Sequence, residues 1–212
     1  MDQQFLRKLL NQISVSGCEE PGQKVLKEYM GQYADEIRSD EMGNVICIAN
    51  PDSPVRIMLS AHADEIGLLV TRITESGRIQ AIERGGITAR ALDDRIGKDS
   101  SQAEAGDVLL GGGPVLCNSP IVVKGLNDRM VECAEKIGIP TQREAASRLS
   151  YTDADQIHFS NQGVPTVLVS VPLRNMHTAA EVADMSDVNG CIELIAEFVC
   201  TYIDNAYKRK ME

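Results

Sequence analysis

The chain has 212 residues, 43% hydrophobic and 25% charged, enough for one substantial folded domain and without an apolar run near the ~20 residues of a membrane span. Its 21 Lys+Arg against 31 Asp+Glu give a formal net charge of -10, which argues against nucleic acid or an anionic membrane surface as a partner. The opening residues lack a basic tip followed by an apolar core, so the expected location is cytoplasmic, and the six cysteines show no CxxC spacing and read as reduced packing residues.

Phe5, Leu6, Leu9, Leu10 and Ile13 recur at helical spacing, and Val25, Leu26, Tyr29, Met30 and Tyr33 do so again after Pro21, so two amphipathic helices are expected at the start. Residues 37–49 read as strand, Gly-Asn turn and strand, and 55–61 is a nearly continuous apolar run expected to form a central buried strand. Residues 68–73 and 78–82 flank the turn signal Glu75-Ser76-Gly77 and predict a second hairpin. Helix is expected over 122–137, a short strand near 143–146, a short helix around 153–160 and a buried strand over 165–171. A last helix should begin at Ser186 or Asp187 and close on Lys208, Arg209 and Lys210. The fold class expected is α/β, a three-layer arrangement around a mixed central sheet.

Three segments carry residues suited to chemistry. In Ala61-His62-Ala63-Asp64-Glu65-Ile66-Gly67, strand alternation would place His62 and Asp64 on one side, the imidazole as a metal ligand and the carboxylate accepting its other ring proton. Without a metal, the pair is an ordinary strand end. In Ala91-Leu92-Asp93-Asp94-Arg95, a carboxylate could bridge two cations while its neighbours hold it, though adjacent Asp residues also form caps and turns. His177 follows the strand expected over 165–171 and could complete a site with His62, whereas His158 sits within a short helix and needs no special role.

Taken in order, HADEIG, ALDDRIG, Gly111-Gly112-Gly113-Pro114, Thr152-Asp153-Ala154, GVPT and RNMHT followed by Glu181 resemble the glutamyl-aminopeptidase-like family of two-metal metallo-aminopeptidases. That family includes proteins labelled deblocking aminopeptidases and endoglucanases. The resemblance implies a zinc-exopeptidase-like sandwich with a mixed, mostly parallel sheet, and a hydrolase that releases N-terminal residues from peptides. It implies that His62 binds one metal and that Asp64 is the catalytic acid orienting it. Asp93 would bridge the two metals, with Asp94 and Arg95 supporting it, and His177 would bind the second. Asp99 is the nearest match to a further ligand, with Asp107 the other reading. The cofactors implied are two divalent ions, zinc or cobalt.

The chain also departs from the family pattern. It reads as a single catalytic domain over 1–212, and the inserted dimerisation domain through which relatives oligomerise, expected between about residues 88 and 91, is absent. Gly97 runs through Lys98 directly to Asp99, so the Glu-Glu pair that supplies a metal ligand and the general base has no counterpart. A third, shorter gap falls between Asp107 and Gly111. The pair Glu19-Glu20 opens a helix and reads as a cap rather than a base. The alternative is a non-catalytic metal-binding or interaction protein that keeps the peptidase fold.

Overall fold

The computed structural model describes residues 2–87, 107–178 and 180–211, which divide into two compact units. The first takes in residues 2–56 and 61–87, and the second 57–60, 107–178 and 180–211.

In the first unit, α1 (Gln3–Leu10) is opened by Asp2, whose carboxylate accepts from the backbone N–H groups of Gln4 and Phe5. Helix α2 (Glu20–Met30) carries Pro21 in its first turn, where a missing N–H costs nothing. Phe5 stacks on Tyr29 with ring centroids 3.7 Å apart, and Lys8 pairs with Glu28 at 2.9 Å, fastening the two helices. Strands β1 (Glu36–Ser39) and β2 (Val45–Ile48) form the antiparallel hairpin expected over 37–49. Asp40 holds its turn by accepting from the N–H groups of Met42 and Asn44. The second expected hairpin is β3 (Gly67–Ile73) with β4 (Ile79–Arg84), and Gly77 turns it at φ +79.

In the second unit, β5 (Val115–Asn118) is the middle strand of a mixed three-stranded sheet, parallel to β6 (Gln142–Ala145) and antiparallel to β7 (Val169–Ser170). Helix α3 (Lys124–Ile137) links β5 to β6 and stops at Gly138, which takes the left-handed conformation of a C-cap. One turn of helix, α4 (Ala154–Ile157), precedes β7; the short hairpin β8 (Leu173–Arg174) and β9 (Val182–Ala183) follows, and α5 (Met185–Met211) ends the chain. Leu116 of β5 is buried with Met130, Cys133 and Ala134 of α3 and Leu194 and Phe198 of α5, so the sheet and two helices share one core.

The protein is therefore α/β with a mixed sheet, but four of its expected details differ. Residues 55–61 carry no strand; Met58 and Leu59 are 64% and 69% exposed. An apolar run has the composition of a buried strand, yet a strand also needs ladder partners, and among the described residues 55–61 has none. The described strands accordingly form four separate sheets, three of them two-stranded, rather than one central sheet. Of 165–171 only Val169–Ser170 pairs. The last helix is capped neither by Ser186 nor by Asp187 but by Asp184, which accepts from the Ser186 N–H at 2.8 Å.

All six cysteines are free. Cys117, Cys133 and Cys191 are buried as expected of packing residues, while Cys18 and Cys200 are exposed. Burial pushes the Cys117 and Cys191 thiols up to about 11, so both remain protonated near neutral pH and are poor metal ligands. Among the described residues no helix is long and apolar enough to cross a membrane.

Candidate metal centre

His62 and Asp64 lie in the first unit, in a segment that is not strand, so something other than a sheet must hold them. The chain at residues 14–16 does so. Val15 and Glu65 form an isolated parallel bridge, the Glu65 N–H donates to the Ser14 carbonyl at 2.8 Å, and the Ser16 N–H donates to the Glu65 carbonyl at 3.4 Å. The Ser14 hydroxyl donates to the Ala63 carbonyl at 3.0 Å. A Cβ on Gly67 would stand 2.5 Å from Val15 Cγ2, so the glycine that ends HADEIG leaves room for this strap to close.

The His62 ring is 76% exposed, and its Nδ1 lies 2.9 Å from the Asp64 carbonyl oxygen and 3.3 Å from Asp64 Oδ1. Both neighbours are acceptors, so Nδ1 is the donor, and in the neutral ring Nε2 keeps the lone pair. That is the form in which an imidazole binds a divalent cation, with the Asp64 carbonyl holding the far side of the ring and the carboxylate beside it. The chemistry of this pair fits a metal ligand.

His177 lies in the second unit, in the turn that joins β8 to β9, rather than directly behind a long strand. Its backbone is left-handed at φ +64, a conformation that costs a residue with a side chain roughly 1–2 kcal/mol. The turn enforces it. Glu181 Oε1 accepts from the His177 N–H at 2.5 Å, the Thr178 hydroxyl donates to the Asn175 carbonyl at 2.7 Å, and Asn175 Nδ2 donates to the Ala180 carbonyl at 3.2 Å. The Glu181 that follows RNMHT is thus an anchor of the turn, and the His177 side chain is left exposed.

Asp93, Asp94, Arg95 and Asp99 lie outside the described residues. Asp107, the other reading for the Asp99 ligand, is exposed. Among the described residues no three His, Cys, Asp or Glu side chains gather as a metal cluster. Glu19 stands at the start of α2, but its carboxylate accepts from the Gly17 N–H at 2.5 Å instead of capping the helix. His158 packs edge-on against Phe159, and its Nδ1 is buried with no hydrogen-bond partner among the described residues.

The glycine motif is held by a buried carboxylate. Asp187, wholly buried, accepts from the N–H groups of Gly111 and Gly113 at 2.8 and 2.7 Å. Gly113 has φ +90, and a Cβ there would meet the Pro140 carbonyl oxygen at 1.9 Å. Gln142 completes the clasp, accepting from the Leu109 N–H at 2.7 Å and donating to the Gly113 carbonyl at 3.0 Å. In the TDA segment the buried carboxylate is Asp155, one helical position beyond the motif. Burial raises its pKa, but hydrogen bonds from Ser150 and Tyr151 outweigh that and hold the carboxyl below its ordinary value.

Comparison with known proteins matches residues 43–96 and 88–194 to the family described as M42 glutamyl aminopeptidase. Lysyl aminopeptidase of Pyrococcus furiosus is 39% identical over 85 residues, which are 40% of this chain and 25% of that enzyme. The chain therefore matches a quarter of the length of that relative. A protein of Acetivibrio thermocellus is 20% identical over 324 residues, covering 92% of this chain and 98% of the relative. That span exceeds this chain's own length, so the relative carries sequence that is missing here. Among solved structures, the TET aminopeptidase from a marine sediment archaeon of the Thaumarchaeota superposes with a TM-score of 0.81 at 17% identity, covering 92% of this chain and 95% of that one. This likeness is one of fold.

Proposed function

The chain belongs to the M42 glutamyl aminopeptidase family, and from that premise we propose that it is a metal-dependent aminopeptidase removing residues from the free N-termini of peptides. The observation that carries the reading is His62, whose exposed ring has Nδ1 turned to two Asp64 oxygens, which leaves Nε2 as the nitrogen for a metal.

In this reading His62, Asp93, Asp99 and His177 would hold two divalent cations, zinc or cobalt, and Asp94 and Arg95 would steady Asp93. Such a pair supplies polarisation of the scissile carbonyl and a water acidified toward neutral pH. Asp64 keeps the proton on His62 Nδ1. Glu181 and the β8–β9 turn keep His177 in its left-handed position. No residue of the chain is assigned as general base. The reading also carries the three-layer arrangement of the family and a cytoplasmic location. It also keeps the expectation that no dimerisation domain is inserted between about residues 88 and 91.

The test is release of N-terminal amino acids from unblocked peptides by the full chain loaded with zinc or cobalt. Release is expected to stop on chelation and return with metal; no release from any peptide of a varied panel overturns the aminopeptidase reading. Because loss of a general base typically costs about 10²–10⁴ in rate, the assay must resolve turnover at that depressed level. Metal uptake without turnover at that sensitivity would support the non-catalytic alternative, which the missing Glu-Glu pair favours.

A further inference from the structure

The geometry points to Ser16 as a positioning residue for His62, acting through the Asp64 carboxylate. The inference rests on the reading of His62 as a metal ligand and extends it to a residue that no motif contains.

Asp64 is partly exposed, and its two oxygens have different partners. His62 Nδ1 donates to the Asp64 backbone carbonyl at 2.9 Å and has Oδ1 beside it at 3.3 Å, while Oδ2 accepts a hydrogen bond from the Ser16 hydroxyl. A carboxylate in water with one imidazole neighbour turns freely about its χ angles, and each turn withdraws Oδ1 from the ring. A hydroxyl donating to the second oxygen removes that freedom, and a bond to an ionised acceptor is roughly twice as strong as a neutral one. The donor must itself be fixed for this to matter. Ser16 is fixed because the strap is bonded to 63–65 through Ser14 and through the Ser16 N–H, and because Val15 packs into the space left by Gly67. The chain Ser16, Asp64, His62 thus runs from a backbone strap to an exposed ring nitrogen. Ser16 stands at the remote end of it and is not itself placed to touch metal or peptide.

Three variants of the full chain test this: Ser16→Ala, Ser16→Thr and Asp64→Ala, with the double variant Ser16→Ala/Asp64→Ala. Two readouts are taken on each, the zinc dissociation constant and the 15N signals of the neutral His62 ring without metal. Ser16→Ala is expected to weaken zinc by up to about 10-fold and to shift the Nδ1 signal as the carboxylate leaves the ring, the bond to the Asp64 carbonyl remaining. Ser16→Thr, which keeps the hydroxyl, should restore both. In the Asp64→Ala background Ser16→Ala should change neither readout further, since its effect passes through that carboxylate. A serine that merely closes the strap would give losses that add to those of Asp64→Ala, and that additivity overturns the proposal. So does a Ser16→Ala ring signal identical to that of the unmodified chain. If the ring responds as expected but the unmodified chain takes up no zinc, the Ser16 assignment stands and the metallopeptidase reading falls.

Discussion

Replacing Asp187 by alanine is expected to lower the stability of the second unit by about 3–6 kcal/mol, since it deletes two hydrogen bonds to an ionised acceptor and strands their donors. The donors are the N–H groups of Gly111 and Gly113, bonded at 2.8 and 2.7 Å, and the site is closed to water, Asp187 being 0% exposed. The loop cannot turn to find other partners, because Gly113 already stands against the Pro140 carbonyl with no room for a Cβ. A domain of ordinary stability has only about 5–15 kcal/mol in total, so this one substitution removes a large share. Asp187→Asn keeps a single acceptor oxygen and should lose roughly half as much. Denaturant unfolding of the three chains checks the order: parent most stable, Asn intermediate, Ala least. An alanine variant within about 1 kcal/mol of the parent contradicts the role given to this carboxylate.

His62→Ala should behave in the opposite way. With its ring 76% exposed and, among the described residues, bonded only to Asp64, the residue contributes little to folding, so the unfolding midpoint should stay within experimental scatter. Metal affinity, by contrast, should fall by more than about 100-fold, because even partners one bond removed from a metal cost 10–100-fold when lost. Asp64→Asn should fall within that lesser range. Zinc titration with a competing chelator measures both. Unchanged uptake by His62→Ala would remove His62 from the metal centre, whatever the peptidase assays show.

How much of this was legible beforehand depends on how local each feature is. The 37–49 and 68–82 hairpins could be read because their turns are written in adjacent residues, Asp40 to Asn44 in one and Thr74 to Gly77 in the other. The pairing of His62 with Asp64 was likewise readable at a spacing of two. Its support was not: 55–61 has the apolar composition of a buried strand, but ladder partners are a property of the fold, and the support comes instead from 14–16, with Ser16 reaching Asp64 across 48 residues. Ser16 could have been suspected only from its place in Ser-Val-Ser-Gly, a small polar segment between two helices. Asp187 misled for a related reason. It stands in the first turn of α5, where an acidic residue normally caps, and only the structure shows it turned inward to a loop 74 residues away. Gly112 and Gly113 are explained the same way, by the approach of Gln142 and Pro140.

The central claim is that His62, His177 and Asp93, distant in sequence, share one pair of cations. An anomalous-scattering map from crystals of the full chain soaked in zinc addresses it directly. The account predicts two peaks flanking the Asp93 carboxylate, one bound by His62 Nε2 and the other by His177. Peaks on only one histidine, or none beside Asp93, would contradict it.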